Sequence, residues 1–265
     1  MKIYYYVHTG HRIGLDRFRR AATIIRSLGD VDITLLCSDF RIANEAKHFG
    51  VKTSVGIDVI RNIPYIAEFG DKIIFDSEEA NPIMLEDMKN FFSSFVHIKG
   101  DEVAVDSKYY EQKPKTIELS FFFGDDDYEK DLEKNLDFLE GLNPDLQLGF
   151  YYFFDYEDML KEKFKNHHEF EDYDEVIMNS KVLITSSPQA VLEHLASGGR
   201  PIYIQREDYT QDFRELFISL NIPIIDNYDK KLLLEILESI ESHNYCHLEQ
   251  NSDKLKFFLK DSLSL

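Results

Sequence analysis

Ser186, Ser187 and Glu193 are the residues whose types and spacing are best suited to chemistry. They lie in VLITSSPQAVLEHLASGGRPIYIQ (182–205), where an apolar run ends at two small hydroxyl residues. A segment with apolar Ala190, Val191, Leu192 and Leu195 follows, and Gly198 and Gly199 stop it before a second apolar run. This pattern predicts a strand, a tight turn, a helix and a parallel strand. Such a turn lies beyond the carboxyl end of a strand and at the amino end of a helix, where free N–H groups and the helix dipole favour a phosphate. Small side chains at Ser186 and Ser187 let an anion approach closely, and Glu193 can take the vicinal hydroxyls of a ribose. Any parallel βαβ unit also needs a polar turn and a glycine stop, so the same pattern serves a purely structural turn with Glu193 in solvent.

Two other turns carry candidate chemistry. In HTGHRIGLDRFRRAA (8–22), Gly10 and Gly14 give the loop conformational freedom. His8 and His11 are candidate acids or bases, and Arg17, Arg19 and Arg20 suit a phosphate or carboxylate. Arg12, Arg17, Arg19, Arg20 and Arg26 crowd this region with only Asp16 opposing them, which is what a small-anion site needs. Pairing with the chain's many carboxylates is the plain alternative. In FFFGDDD (121–127) a glycine and three acids precede a helix. The acids either hold Mg²⁺ on a diphosphate or cap the helix and favour its dipole. His167 and His168 are adjacent and lack metal-ligand spacing. Asp76 and Ser77 close the strand KIIFD.

Whole-chain properties narrow the function. With 265 residues there is room for one large or two ordinary domains at about 150 residues each. A hydrophobic content of 43% and an aromatic content of 14% exclude a disordered chain. The net charge of −19 argues against nucleic acid and anionic membrane as main partners, because phosphate contacts need concentrated Lys and Arg. Cys37 and Cys246 match no metal or redox spacing, so reduced thiols and a cytoplasmic location are expected. MKIYYYVHTG lacks the features of a signal peptide, and no run of about 18 apolar residues predicts a membrane span.

The elements that must position these residues alternate. Strands are expected at 2–8, 31–37, 51–55, 72–76 and 94–98, with helices over 16–28, 42–49, 57–69 and 82–92. After a polar stretch at 105–116 containing Pro114 the pattern restarts. Strands are expected at 117–123, 146–153, 182–185, 201–205 and 222–225, with helices over 126–142, 156–165, 173–179, 188–197, 209–220 and 230–242. An amphipathic helix over 252–262 would dock on either half. Short apolar strands separated by amphipathic segments mean parallel sheets covered by helices. The expected organisation is an α/β domain at 1–108, a second at 116–245, and the remainder at 246–265. Two such doubly wound, Rossmann-like domains would face a cleft at the carboxyl ends of their strands.

The run IYYYVHTGHRIGLDRFRRAATIIRSLGDVDITLL resembles the amino-terminal signature of two-domain glycosyltransferases of GT-B type. Those closest in pattern are relatives of the peptidoglycan UDP-N-acetylglucosamine transferase and of the UDP-sugar hydrolase of pseudaminic acid synthesis. KIIFDS (72–77), FFFGDDD, LITSSPQAVLEHLASGGRPIYI and Thr210-Gln211 with FRELFISLNIPII follow in the family's order. The resemblance implies Ser186, Ser187 and Gln189 near a diphosphate, Glu193 on the ribose, Gly124 and Asp125 lining a phosphate turn, and Gln211 at the donor sugar. It also implies Gly14, Arg20 and Asp76 as substrate-binding residues. No cofactor is implied and Mg²⁺ is not expected, because helix termini stabilise the leaving diphosphate. The partners it implies are a UDP- or CMP-linked sugar and a glycan or protein acceptor, the serine turn being similar to that of capsule-type transferases that use CMP-sugars. Arg17 stands where the family's histidine base would be, Asp16 replaces a glycine, and serines replace the glycines before the nucleotide helix. Asp16 or His11 is therefore the candidate base. The implied activity is glycosyl transfer in bacterial surface glycan or glycoprotein synthesis, with nucleotide-sugar hydrolysis or non-catalytic binding as alternatives.

Overall fold

The computed structural model describes residues 1–250 and 252–265, the side chains of residues 252 and 253 aside. The chain divides into two compact units.

The first unit comprises residues 1–13, 17–104 and the last helix. Its elements are β1 (Ile3–Val7), α1 (Asp16–Ser27), β2 (Ile33–Cys37), α2 (Phe40–Glu45), β3 (Thr53–Gly56), β4 (Lys72–Asp76), α3 (Pro82–Phe91) and β5 (Ser94–His97). The strands form one parallel sheet in the order β3-β2-β1-β4-β5. Every residue of β1 and β4 is buried, which is why both read as continuous apolar or aromatic runs rather than alternating ones. Tyr4, Tyr6, Leu36, Ile73 and Phe75 pack on one face with Ile57, Ile60 and Ile63. The stretch 57–69, expected as an α-helix, is a 3₁₀ turn over Ile60–Tyr65 with Pro64 inside it; the proline lacks the N–H that an α-helical ladder needs.

The second unit comprises Gly14–Asp16 and residues 105–250. It contains β6 (Ile117–Phe122), α4 (Asp131–Lys134), β7 (Asp145–Gln147), α5 (Phe154–Lys163), β8 (His167–His168), α6 (Tyr173–Asn179), β9 (Ser180–Thr185), α7 (Pro188–Ala196), β10 (Arg200–Gln205), α8 (Arg214–Ser219), β11 (Ile224–Asp226) and α9 (Lys230–Ser239). Its six strands are parallel in the order β11-β10-β9-β6-β7-β8. Phe121, Phe123, Leu146, Ile184, Ile202 and Ile204 make the centre of its core.

Three expectations are corrected here. The helix expected over 126–142 is broken into α4 and a 3₁₀ turn at Leu136–Leu139. Lys130 adopts a left-handed conformation (φ 56°) and Asp127 takes the N–H groups of Asp131 and Leu132, so the helix begins at 131. The strand expected over 146–153 ends at Gln147. There Gly149 lies so close to the neighbouring turn that a Cβ on it would stand 2.4 Å from the Gly124 carbonyl oxygen. The helix expected from Tyr209 starts at Arg214.

Helix α10 (Ser252–Ser262) belongs with the first unit. Leu255, Leu259 and Leu263 are buried, and the Ser94 hydroxyl donates to the Ser262 carbonyl at 2.7 Å beside edge strand β5. Among the described residues no helix is long and apolar enough to cross a membrane.

Candidate functional site

The turn between β9 and α7 is built as its sequence suggests. Ser187 is the N-cap of α7, its hydroxyl accepting the Ala190 N–H at 3.1 Å, and Pro188 occupies the first turn, where a missing N–H costs nothing. The Ser187 N–H donates to Thr185 Oγ1 at 3.0 Å. Its hydroxyl also donates to Asp16 Oδ1 at 2.6 Å, Asp16 being grouped with this unit. The Ser186 N–H donates to the Phe122 carbonyl at 3.3 Å. The Ser186 hydroxyl is buried and has no hydrogen-bond partner among the described residues, an uncommon state that calls for an explanation at the amino end of a helix.

Glu193 does not face solvent. It is 2% exposed; one oxygen accepts from the Tyr173 hydroxyl at 2.7 Å and the other from Gln189 Nε2 at 2.8 Å. Gln189, expected near a diphosphate, is buried with it and turned to this carboxylate. In this form a ribose reaches Glu193 only if one of these donors lets go.

The turn after β6 explains the three acids. Asp125, Asp126 and Asp127 are all buried. Asp127 accepts the N–H groups of Asp131 (2.7 Å) and Leu132 (3.0 Å) and the Tyr156 hydroxyl. Burial pushes its carboxyl up, against these hydrogen bonds and the nearby Arg206 charge. The Asp125 carbonyl accepts the Tyr151 N–H at 2.8 Å. Gly124 has φ +128°, a backbone conformation that favours glycine. Asp127 thus caps α4, and among the described residues no group of three or more His, Cys, Asp or Glu could hold a metal ion.

Arg206, which no motif singles out, is the centre of this region. It is 2% exposed, forks onto Asp208 at 2.8 and 2.6 Å, and donates to the Asp126 carbonyl at 2.7 Å. Its guanidinium lies 4.4 Å from the Phe123 ring centre and 4.3 Å from that of Tyr209. The charged QRED stretch just after the apolar run of β10 was the available signal. Gln211 is exposed.

In the first unit, the carboxyl ends of β1 and β4 gather a second set. His8 Nδ1 lies 3.2 Å from Glu79 Oε2, which also accepts from the Tyr6 hydroxyl at 2.7 Å and the Ser77 hydroxyl at 3.2 Å. Burial lowers the His8 pKa below its ordinary value; Glu79 works against this and Arg17 with it. Glu79 was not visible as a partner in the sequence, since only the fold brings residues 71 positions apart together.

The arginine cluster is largely absorbed. Arg20 forks onto Asp76, with Nε–Oδ2 at 3.0 Å and Nη2–Oδ1 at 2.5 Å, and also donates to the carbonyls of Gly100 and Glu102. Tyr5 donates to the same carboxylate at 2.9 Å. Arg20 and Asp76, expected to bind substrate, form a closed buried pair at 2% and 0% exposure. Arg19 stacks over Phe49, and Arg26 donates to the Phe49 carbonyl. His11 and Arg17 are half-buried, Arg12 has φ 69° and Gly14 φ 73° in the same loop.

No family profile matches the chain, and no curated protein matches it in sequence. Solved structures do match. The UDP-GlcNAc 2-epimerase of Methanocaldococcus jannaschii, solved in complex with UDP-GlcNAc and UDP, is 11% identical with a TM-score of 0.64, covering 98% of this chain and 100% of that one. A glycosyltransferase from Rickettsia africae is 9% identical with a TM-score of 0.54, covering 99% and 93%. An Escherichia coli heptosyltransferase with ADP is 10% identical with a TM-score of 0.51, covering 92% and 99%. Identities this low carry the fold alone. That fold is two parallel-sheet α/β units of GT-B type.

Proposed function

We propose that this chain is a GT-B-type glycosyltransferase acting on a nucleotide-sugar donor in surface glycan or glycoprotein synthesis. The observation that carries the reading is the buried, unpartnered Ser186 hydroxyl at the amino end of the nine-residue helix α7. A phosphate oxygen there would give that hydroxyl its acceptor and meet the positive end of the helix dipole. Ser186 and Ser187 take the diphosphate, with Gln189 beside them and Gly124 and Asp125 in the adjoining turn. Stabilising the leaving diphosphate in this way needs no metal. Glu193 takes the ribose after release from Tyr173 or Gln189, and Gln211 the donor sugar. A uridine nucleotide is the first choice, since the archaeal neighbour was solved with UDP-GlcNAc and UDP. On the acceptor side the candidate bases are His11, Asp16 and the His8–Glu79 pair, with Gly14 in the adjoining loop and Arg17 in the first turn of α1.

Thermal-shift titration with UDP, CMP, GDP and their sugars tests this reading. A rise in melting temperature with one nucleotide series, lost in Ser186→Ala, supports the site; a flat response to all of them refutes it. Nucleotide release that requires an added acceptor identifies a transferase, whereas release in water alone identifies a hydrolase.

A further inference from the structure

A carboxylate of the chain itself stands at the amino end of α7. Residues 14–16 group with the second unit, although the chain on both sides of them belongs to the first. Leu15 is buried, and a Cβ added to Gly14 would lie 3.1 Å from the Tyr209 hydroxyl, so the segment is closely seated. Half-buried Asp16 accepts the Ser187 hydroxyl hydrogen on Oδ1 at 2.6 Å. Its charge also reaches Tyr203, which pairs with Thr185 just before the turn; burial first and Asp16 second push that phenol's pKa up. A hydroxyl has one hydrogen to donate. While Asp16 holds it, Ser187 caps α7 by accepting the Ala190 N–H but has nothing to give a phosphate. The Ser186 hydroxyl beside it is buried with no partner among the described residues, so the carboxylate serves one serine of the two.

We propose that Asp16 is an internal stand-in for a phosphate, a plug that a diphosphate must displace from the α7 turn. The proposal rests on the reading of that turn as the diphosphate site. A carboxylate and a phosphate oxygen seek the same partners, a hydroxyl donor and the positive end of a helix dipole. They cannot share them. The Ser187 hydrogen serves one anion at a time, and two negative charges held side by side repel. The plug therefore lowers the affinity for every diphosphate, whatever base it carries, in proportion to the fraction of molecules in which Asp16 is seated.

The test is titration calorimetry with inorganic pyrophosphate and with UDP, on the full natural chain and on its Asp16→Asn and Asp16→Ala variants. Asparagine keeps an oxygen for the Ser187 hydrogen and drops the charge, whereas alanine drops both, so the second variant repeats the measurement if the first folds poorly. Loss of the charge should tighten both probes by about ten-fold, while the melting temperature without ligand stays level or falls. A purely structural Asp16 would give that lower melting temperature with affinity level or reduced. Binding detected only in the variants also supports the plug. Affinity unchanged or weakened in the folded variants, with the natural chain still binding UDP, overturns the plug and leaves the diphosphate site standing. No binding of either probe by any of the three chains overturns the plug and the site together.

Discussion

Tyr173 donates its hydroxyl hydrogen to Glu193 across 2.7 Å in the interior of the second unit. This bond joins the helix before β9 to the helix after it, and Gln189 donates to the other carboxylate oxygen from one turn away. Tyr173→Phe removes one donor from a buried carboxylate, and such loss costs roughly 1–3 kcal/mol. The measurement is chemical denaturation of the variant beside the natural chain. The same variant should bind nucleotide no more weakly than the natural chain, because it frees the oxygen that a ribose would use. Weaker binding would show that Glu193 serves the fold and not a ribose.

The neighbouring serines separate architecture from ligand binding. Ser187→Ala removes an N-cap and should destabilise the protein by about 1 kcal/mol. Ser186→Ala removes a buried hydroxyl that bonds nothing, so its melting temperature should stay level or rise. If a phosphate seats at α7, Ser186→Ala should still weaken nucleotide binding by about ten-fold, equivalent to about 1.4 kcal/mol. Titration calorimetry beside a melting curve reads both quantities.

Much of this was legible in the chain because parallel strands are buried on both faces. β1, β4, β9 and β10 read as largely apolar runs, and the two serines with the Gly198-Gly199 stop marked α7 almost residue for residue. Less legible was anything decided across the sheet. Asp125–Asp127 look alike in sequence, and only the contacts of Tyr156 and the α4 amides single out Asp127 as the helix cap. Arg20 looked like an anion ligand because Asp76 lies 56 residues away. Glu193 read as either a ribose ligand or a solvent-facing residue, and a helix of nine residues does not reveal in sequence that Tyr173 of α6 donates to it.

The Arg20–Asp76 pair should prove structural. Asp76→Asn leaves a buried guanidinium without its counter-charge and strips the Tyr5 hydroxyl of its ionic acceptor. Breaking a buried pair from one side costs about 3–5 kcal/mol. Urea denaturation of Asp76→Asn is expected to show that loss. A near-normal midpoint would return Asp76 to the list of residues available to a ligand.

His194 gives the fold a pH dependence whose sign can be worked out. Its ring is fully buried, with Nδ1 bonded to the Ile177 carbonyl at 2.8 Å. Burial pushes its pKa down to about 3, the bond to Ile177 acting the other way. The folded state therefore holds a neutral ring where the unfolded chain takes up a proton near pH 6.5. Stability from this residue is complete above that pH and falls as pH drops towards 3, by about 1.4 kcal/mol for each pH unit. The ring also fills the space beside Gly199, where an added Cβ would lie 2.1 Å from its Cε1 atom. Gly199→Ala should then cost about 1–3 kcal/mol at neutral pH through overpacking. Denaturation midpoints between pH 4 and 7 should show the slope in the natural chain, and a His194→Leu variant should flatten it. A slope unchanged by that variant would assign the acid sensitivity to other groups.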